Sequence, residues 1–214
     1  MVLRRLLGAF AVVLFALVPN LCSGQSFEQL LKAVEQGDVQ TVGALLNQGL
    51  DPNTADTDGN TILMIAARLG HRDLVSFLIG RKANVTRRSP YGDTALMFAS
   101  LKGHLAVAKL LVENGADVSH SGWAPLHYGA FEGRPEVVKY LLEKRADKNG
   151  LAPNRYTPLM LAVLNGHLEA ARALLYEDVD LSVRGPKGET ALGIAKERKS
   201  AELESLLRRA GAVD

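Results

Sequence analysis

Thr61-Ile-Leu-Met-Ile-Ala-Ala67, Thr94-Ala-Leu-Met-Phe-Ala-Ser100, Ala124-Pro-Leu-His-Tyr-Gly-Ala130 and Thr157-Pro-Leu-Met-Leu-Ala-Val163 are one segment written four times, and Thr190-Ala-Leu-Gly-Ile-Ala-Lys196 writes it a fifth. Their first residues are 33, 30, 33 and 33 apart. The glycine that follows each apolar segment keeps the same register: Gly37, Gly70, Gly103, Gly133 and Gly166 are spaced 33, 33, 30 and 33. Two independent markers with one period signal a repeat architecture, in which each unit is one supersecondary element.

The residue types fit the places the period gives them. A threonine at the head of an apolar segment can accept one of the backbone N–H groups that a helix start leaves unpaired. Proline at Pro125 and Pro158 suits the first helical position, where its missing N–H is no loss. The Leu and Ala positions that follow let neighbouring helices approach closely. Each recurring glycine ends a helix in the left-handed conformation that a Cβ disfavours. Leu110-Leu111 and Leu141-Leu142 fall on the buried stripe of a second helix. A unit of this kind has two apolar faces and must stack to bury both.

With Gly-His at 70–71, 103–104 and 166–167, and Gly115-Ala-Asp-Val118 after a second apolar stretch, the pattern resembles the ankyrin repeat signature T-P-L-H-x-A-A. It runs from about Ser26 to Gly211. The resemblance implies an all-α solenoid of stacked helix-turn-helix units with short β-hairpin or loop fingers. Six units are expected, at 26–53, 54–86, 87–119, 120–149, 150–182 and 183–214. The first lacks the T-P-L-H segment, and Ser26-Phe-Glu-Gln29 reads as a capping box with Ser26 as N-cap. The last carries Glu197, Arg198, Glu202, Glu204, Arg208 and Arg209, the polar outer face a terminal unit needs. Only the fourth unit keeps the signature histidine, His127. Between the third and fourth units, Asp117-Val-Ser-His-Ser-Gly-Trp123 is three residues short, which predicts a blunted finger.

The first 24 residues read differently. Arg4 and Arg5 precede an apolar run from Leu6 to Val18, then Pro19-Asn20 and the small residues Ser23-Gly24. That order predicts a secretory signal peptide over 1–24, cleaved after Gly24. The run is shorter than the ~20 residues a bilayer span needs. An uncleaved anchor and a lipidated Cys22 stay open as alternatives. Removing the two arginines leaves 23 basic against 23 acidic side chains, so the mature chain has no general attraction for nucleic acid or anionic membrane. It would also hold no cysteine.

No catalytic pattern survives inspection. A calcium loop around Asp56-Thr-Asp58-Gly59 would place Thr54 and Ile65 where acids belong. His71, His104 and His167 sit at the repeat's own Gly-His position, and His120 and His127 lack a third zinc ligand nearby. Phosphate loops and nucleophile elbows are absent from the sequence. Asn84-Val-Thr86 is a glycosylation sequon at the base of a finger, flanked by Arg81-Lys82 and Arg87-Arg88, and reads as a solvated loop.

The chain is therefore expected to be no enzyme and to need no cofactor or metal. By the resemblance, partners bind along the concave side made by finger tips and first helices. The register puts Asn60, Asp93, Trp123, Tyr156 and Glu189 just before each helix cap. It puts Arg68-Leu69, Leu101-Lys102, Phe131-Glu132 and Leu164-Asn165 just before each turn glycine. Trp123, Tyr156, Phe131 and Tyr91 are the candidate anchors, with Arg88, Asp93, Leu101, Lys102 and Glu132 beside them. An aromatic before the cap can equally pack on its own finger. The resemblance is to small exported bacterial ankyrin proteins and implies a periplasmic scaffold, monomeric alone, that holds one or more proteins. Such a chain would bind no nucleic acid and would not stay inserted in a membrane once cleaved. An exported effector acting on a host or rival protein is the other reading.

Overall fold

A computed structural model of the protein describes residues 23–213. The expected signal segment up to Cys22 lies outside the described residues. Among the described residues twelve helices follow one another: α1 Ser23–Glu35, α2 Val39–Asn47, α3 Ile62–Leu69, α4 Arg72–Gly80, α5 Ala95–Lys102, α6 Leu105–Glu113, α7 Pro125–Phe131, α8 Pro135–Glu143, α9 Pro158–Leu164, α10 Leu168–Leu175, α11 Ala191–Glu197 and α12 Ala201–Arg209. They form six antiparallel pairs. Within each pair a turn of two or three residues joins the helices, and a longer loop leads to the next pair.

The caps explain why the helices begin where they do. Thr61, Thr94, Thr157 and Thr190 each accept the N–H three residues on, at 3.2, 3.3, 3.2 and 3.2 Å. Helix α1 departs from the expectation. It already runs from Ser23, so Ser26 lies inside its first turn and is not an N-cap. The backbone of Ser23 to Gln25 continues the helix and supplies the carbonyls a cap would otherwise replace.

Backbones that must turn left-handed occupy three register positions, of which the first unit has two and each later unit all three. The turn between paired helices holds Gly37, Gly70, Gly103, Gly133, Gly166 and Lys199. The position after the second helix holds Gly49, Lys82, Gly115, Arg145, Asp178 and Gly211. The finger tip holds Gly59, Gly92, Gly122, Arg155 and Gly188. Together these are all the positive-φ residues among those described. Five side chains thus tolerate a conformation that glycine takes freely.

At the turn position glycine answers to a second demand. A Cβ on Gly37, Gly70 or Gly133 would meet the ring of His71, His104 or His167 at 2.8, 2.6 and 2.5 Å. Each histidine therefore sits flat on the preceding unit's turn. His71 and His104 also bond the carbonyls of Glu35 and Arg68, at 2.8 and 3.1 Å. The Gly-His dipeptide is a stacking joint, with the glycine of one unit receiving the histidine of the next.

One continuous apolar core runs through the stack, built from Leu, Val, Ile and Ala of both helix rows. The first helices of successive units approach each other more closely than the second helices do. Ala66, Ala99, Ala130, Ala162 and Ala195, each fully buried, permit that approach. Closer spacing on one side curves the stack around the first helices. The fingers lie on that same side. Among the described residues they contain no β-strand, only an isolated bridge between Ala55 and Thr61. Four of them close on two backbone bonds: the N–H of Asp56, Ser89, Ala152 and Gly185 donates to the carbonyl of Asn60, Asp93, Tyr156 and Glu189, and the N–H of Gly59, Gly92, Arg155 and Gly188 donates back to the carbonyl of Asp56, Ser89, Ala152 and Gly185. A loop closed over five residues is too short for a ladder.

Candidate partner-binding groove

The groove is lined by the finger residue before each cap and by the exposed face of each first helix. At the base of every finger an Asx-turn fixes the loop. Asp51, Asn84, Asp117, Asp147 and Asp180 each accept the N–H two residues on. Asn53, Ser119 and Asn149 then accept an N–H from the following finger, at 2.7, 2.9 and 2.9 Å. This lateral ladder holds the finger row in register, and the sequon residue Asn84 is one of its rungs.

The fourth unit departs from the others. Its finger lacks the closing bonds, and Ala124 has no side chain to cap α7. His127 keeps the other half of the cap, the one Met64 and Met97 supply to Thr61 and Thr94. Its Nδ1 accepts the Ala124 N–H at 3.2 Å, and its Nε2–H donates to the Gly150 carbonyl at 3.0 Å in the next finger. Burial pushes the imidazole below the usual histidine value, so this tautomer stays neutral. Where the second, third and fifth units place histidine on the preceding glycine, this one places Arg134, whose Nε donates to Leu101 O at 3.2 Å.

On that unit three aromatic residues form a strip from finger to helix end. Trp123 meets the His127 ring edge-on, centroids 5.9 Å apart, and leans on Tyr128 at 5.7 Å. Tyr128 and Phe131 are three residues apart and share the groove face of α7. The Tyr128 hydroxyl donates to Asp93 Oδ1 at 2.5 Å, across to the preceding finger. Burial, reinforced by the carboxylate, raises this phenol well above its ordinary range, so it remains a donor.

The candidate residues named from the sequence now separate. Trp123 is half-buried and braced by its own unit. Tyr156 is half-buried too, with its hydroxyl on Glu189 Oε1 at 2.8 Å, and that hydrogen bond raises its pKa. Asp93 is engaged by Tyr128. Glu132 pairs with Arg134 at 3.6 Å, a surface contact of little energy. Phe131 at 40% exposure, Tyr91 at 81% and Leu69 at 42% are large apolar side chains open on this side, as is Leu151 in the fifth unit's finger. Arg88 and Lys102 are exposed, and Leu101 is half-buried beside Phe131 in register. Neither Tyr91 nor Tyr156 stacks on the Trp123 strip among the described ring contacts.

Leu101, Phe131 and Leu164 occupy one register position in consecutive units and make a short apolar row, with Arg68 before it and Glu197 after it. Arg68 lies 5.7 Å from the Phe98 ring. Sequence reasoning missed Tyr128. It occupies the x of the repeat segment, the position the signature leaves free, and its i,i+3 relation to Phe131 was the available signal. Among the described residues no three His, Cys, Asp or Glu side chains gather closely enough for a metal ion, and no helix is long and apolar enough to cross a membrane.

Comparison with known proteins matches this geometry. The family profile described as ankyrin repeats (3 copies) matches residues 30–121 and 84–152, and that described as ankyrin repeats (many copies) matches 148–195. The chain is 34% identical over 159 residues to mouse (Mus musculus) ankyrin repeat and SAM domain-containing protein 6, covering 73% of this chain and 14% of that protein. It is 36% identical over 149 residues to glycerophosphocholine phosphodiesterase GDE1 of Candida albicans, covering 68% of this chain and 10% of the relative. The chain thus spans a small part of either relative. The crystal structure of the human ASB11 ankyrin repeat domain superposes with a TM-score of 0.80 at 25% identity, over 86% of this chain and 84% of that one.

Proposed function

The chain belongs to the ankyrin-repeat family, and from that premise we propose that it is a non-catalytic scaffold holding a partner protein against the groove of its third to fifth units. Ankyrin repeats generally mediate protein–protein interaction, and their fold is typically non-enzymatic. The observation that carries the reading is the apolar row Leu101, Phe131 and Leu164 beside the Trp123–Tyr128 strip. Phe131 stays 40% exposed although the side chains around it are packed. A phenylalanine standing open between half-buried neighbours is the geometry of an interface anchor in a rim that excludes water. Trp123 and Tyr156 act as braced walls of the groove, and Tyr91, Arg88 and Lys102 extend the contact along the third unit.

The test is capture of a partner from the native compartment. Phe131→Ala with Leu101→Ala is expected to abolish capture while helical content is unchanged. Capture that survives both substitutions overturns the groove assignment. We further propose that the segment up to Gly24 exports the chain to the periplasm, where the mature protein is monomeric until it meets its partner. Mass spectrometry of the accumulated protein is expected to find Gln25 as the first residue. A chain that retains Arg4 and Arg5 in the cytoplasm overturns export.

A further inference from the structure

The three residues missing before the fourth unit leave a notch in the finger row. A cavity of about 420 Å³ lies there, between the stump Ser119–Gly122 on one side and Asp147, Gly150 and Leu151 on the other, with His127 lining it as well. His120 stands in the stump, and its Nδ1 lies 3.3 Å from the Ser121 carbonyl. A carbonyl only accepts, so Nδ1 carries the proton, and Nε2 of the neutral ring is a bare acceptor. That Nε2 is buried and has no partner. An acceptor withdrawn from water without a donor is unfavourable, and such an atom asks for a ligand.

The surroundings specify what kind. His127 has both ring nitrogens engaged, so it offers nothing further. Asp147 gives one carboxylate oxygen to the Asn149 N–H, and its second lies beside Gly150, 3.2 Å from where a Cβ there would stand. The ammonium next to Asp147 in sequence, Lys148, donates instead to the Glu177 carbonyl in the following finger. The ionisable and imidazole side chains lining the notch thus offer acceptors, with one negative charge among them. Leu151, 44% exposed, adds an apolar wall.

We propose that the notch binds an alkylammonium group, with His120 Nε2 and the Asp147 carboxylate accepting its N–H bonds and Leu151 lying along its aliphatic stem. The group would come from a lysine side chain of the partner or from a free amine. The lysine assignment rests on the groove reading, because the notch opens in the same finger row.

The full chain is titrated with Nα-acetyl-lysine methylamide and followed by NMR at the His120 ring and the Gly150 amide. Saturable shifts are expected. The norleucine analogue, isosteric without the ammonium, and the trimethyllysine analogue, charged without an N–H, should each bind roughly tenfold more weakly or not at all. His120→Ala and Asp147→Asn should weaken lysine binding to the same degree, and His120→Gln, which keeps an acceptor, should recover it. Equal shifts with norleucine or trimethyllysine, or binding unchanged in His120→Ala, overturn the proposal. A lysine-containing peptide binding more tightly than n-butylammonium assigns the site to a partner side chain, and equal affinities assign it to a small amine. Phe131→Ala should leave this titration unchanged, so failure of the notch and failure of the groove give different results.

Discussion

The third and fourth units start their first helices with the same backbone and different side-chain rules. Thr94 and Ala124 head their first helices with φ, ψ of −117°, 165° and −117°, 161°. Yet the third unit has a closed finger, a threonine cap and a histidine seated on Gly70, whereas the fourth has a stump, an alanine and Arg134 on Gly103. Stacking against neighbours on both sides fixes the backbone, so a unit can lose its local signals and still fold in register. A local rule broken without need of the fold is where a functional site is expected. The unit that breaks them presents Trp123, Tyr128, Phe131 and the notch.

The largest expected effect separates the two kinds of joint. Gly70→Ala forces a left-handed alanine and drives its Cβ to 2.6 Å from the His104 ring, which its own packing holds in place. A loss of about 2 kcal/mol or more is expected in denaturant unfolding. Gly103→Ala should lose less, because the facing Arg134 Cδ, at 2.8 Å, belongs to a flexible side chain that can give. Gly166→Ala has φ +77° and no neighbour within 4 Å, so it should lose only the conformational part, about 1 kcal/mol. Equal losses at all three would break the stacking-joint account.

His127 comes next. Replacing it by Ala removes two hydrogen bonds at once and should destabilise by about 2 kcal/mol. Its burial also gives a pH signature. Burial holds the folded-state pKa below the ordinary histidine value, so the unfolded chain binds the proton more readily. The stability this histidine confers is complete above that value and is lost as pH falls from it toward the lower folded value. Unfolding midpoints at about pH 7.5 and 5.5 should differ more for the native chain than for His127→Gln; an equal difference would place the acid sensitivity elsewhere.

Thr94→Ala in the third unit should lose about 1 kcal/mol, and Ala124→Thr in the fourth should gain up to that amount. The smallest effects concern the left-handed position after the second helix. Arg145→Gly should stabilise by about 0.5–1 kcal/mol, and Gly115→Ala should destabilise by a similar amount, since both sites have positive φ. A loss on Arg145→Gly would show that the arginine side chain makes a contact worth more than the strain.

The fold was legible in the sequence because its rule is repetition: the 33-residue period, the threonines and the glycines each mark a backbone requirement. The second role of the turn glycines was not legible, since it depends on a histidine one unit away in space. In the uncleaved chain α1 starts before the point its cap pattern marks, because Ser23 to Gln25 continue the helix and leave Ser26 without a capping role. The sequence names the candidate anchors as a set and does not rank them. Trp123 and Tyr156 look as exposed as Phe131 in the sequence, and only packing shows that the first two are braced while the third stands open. Tyr128 was passed over because the repeat places no demand on its position.

The central claim is that a partner lies against the groove at the fourth unit. A photoreactive amino acid placed at Phe131 and, in a second protein, at Tyr176, which is 78% exposed at the end of second helix α10, tests it directly. The account predicts a discrete partner adduct from position 131 and none from 176. An adduct of that mass from 176 with none from 131 would contradict it.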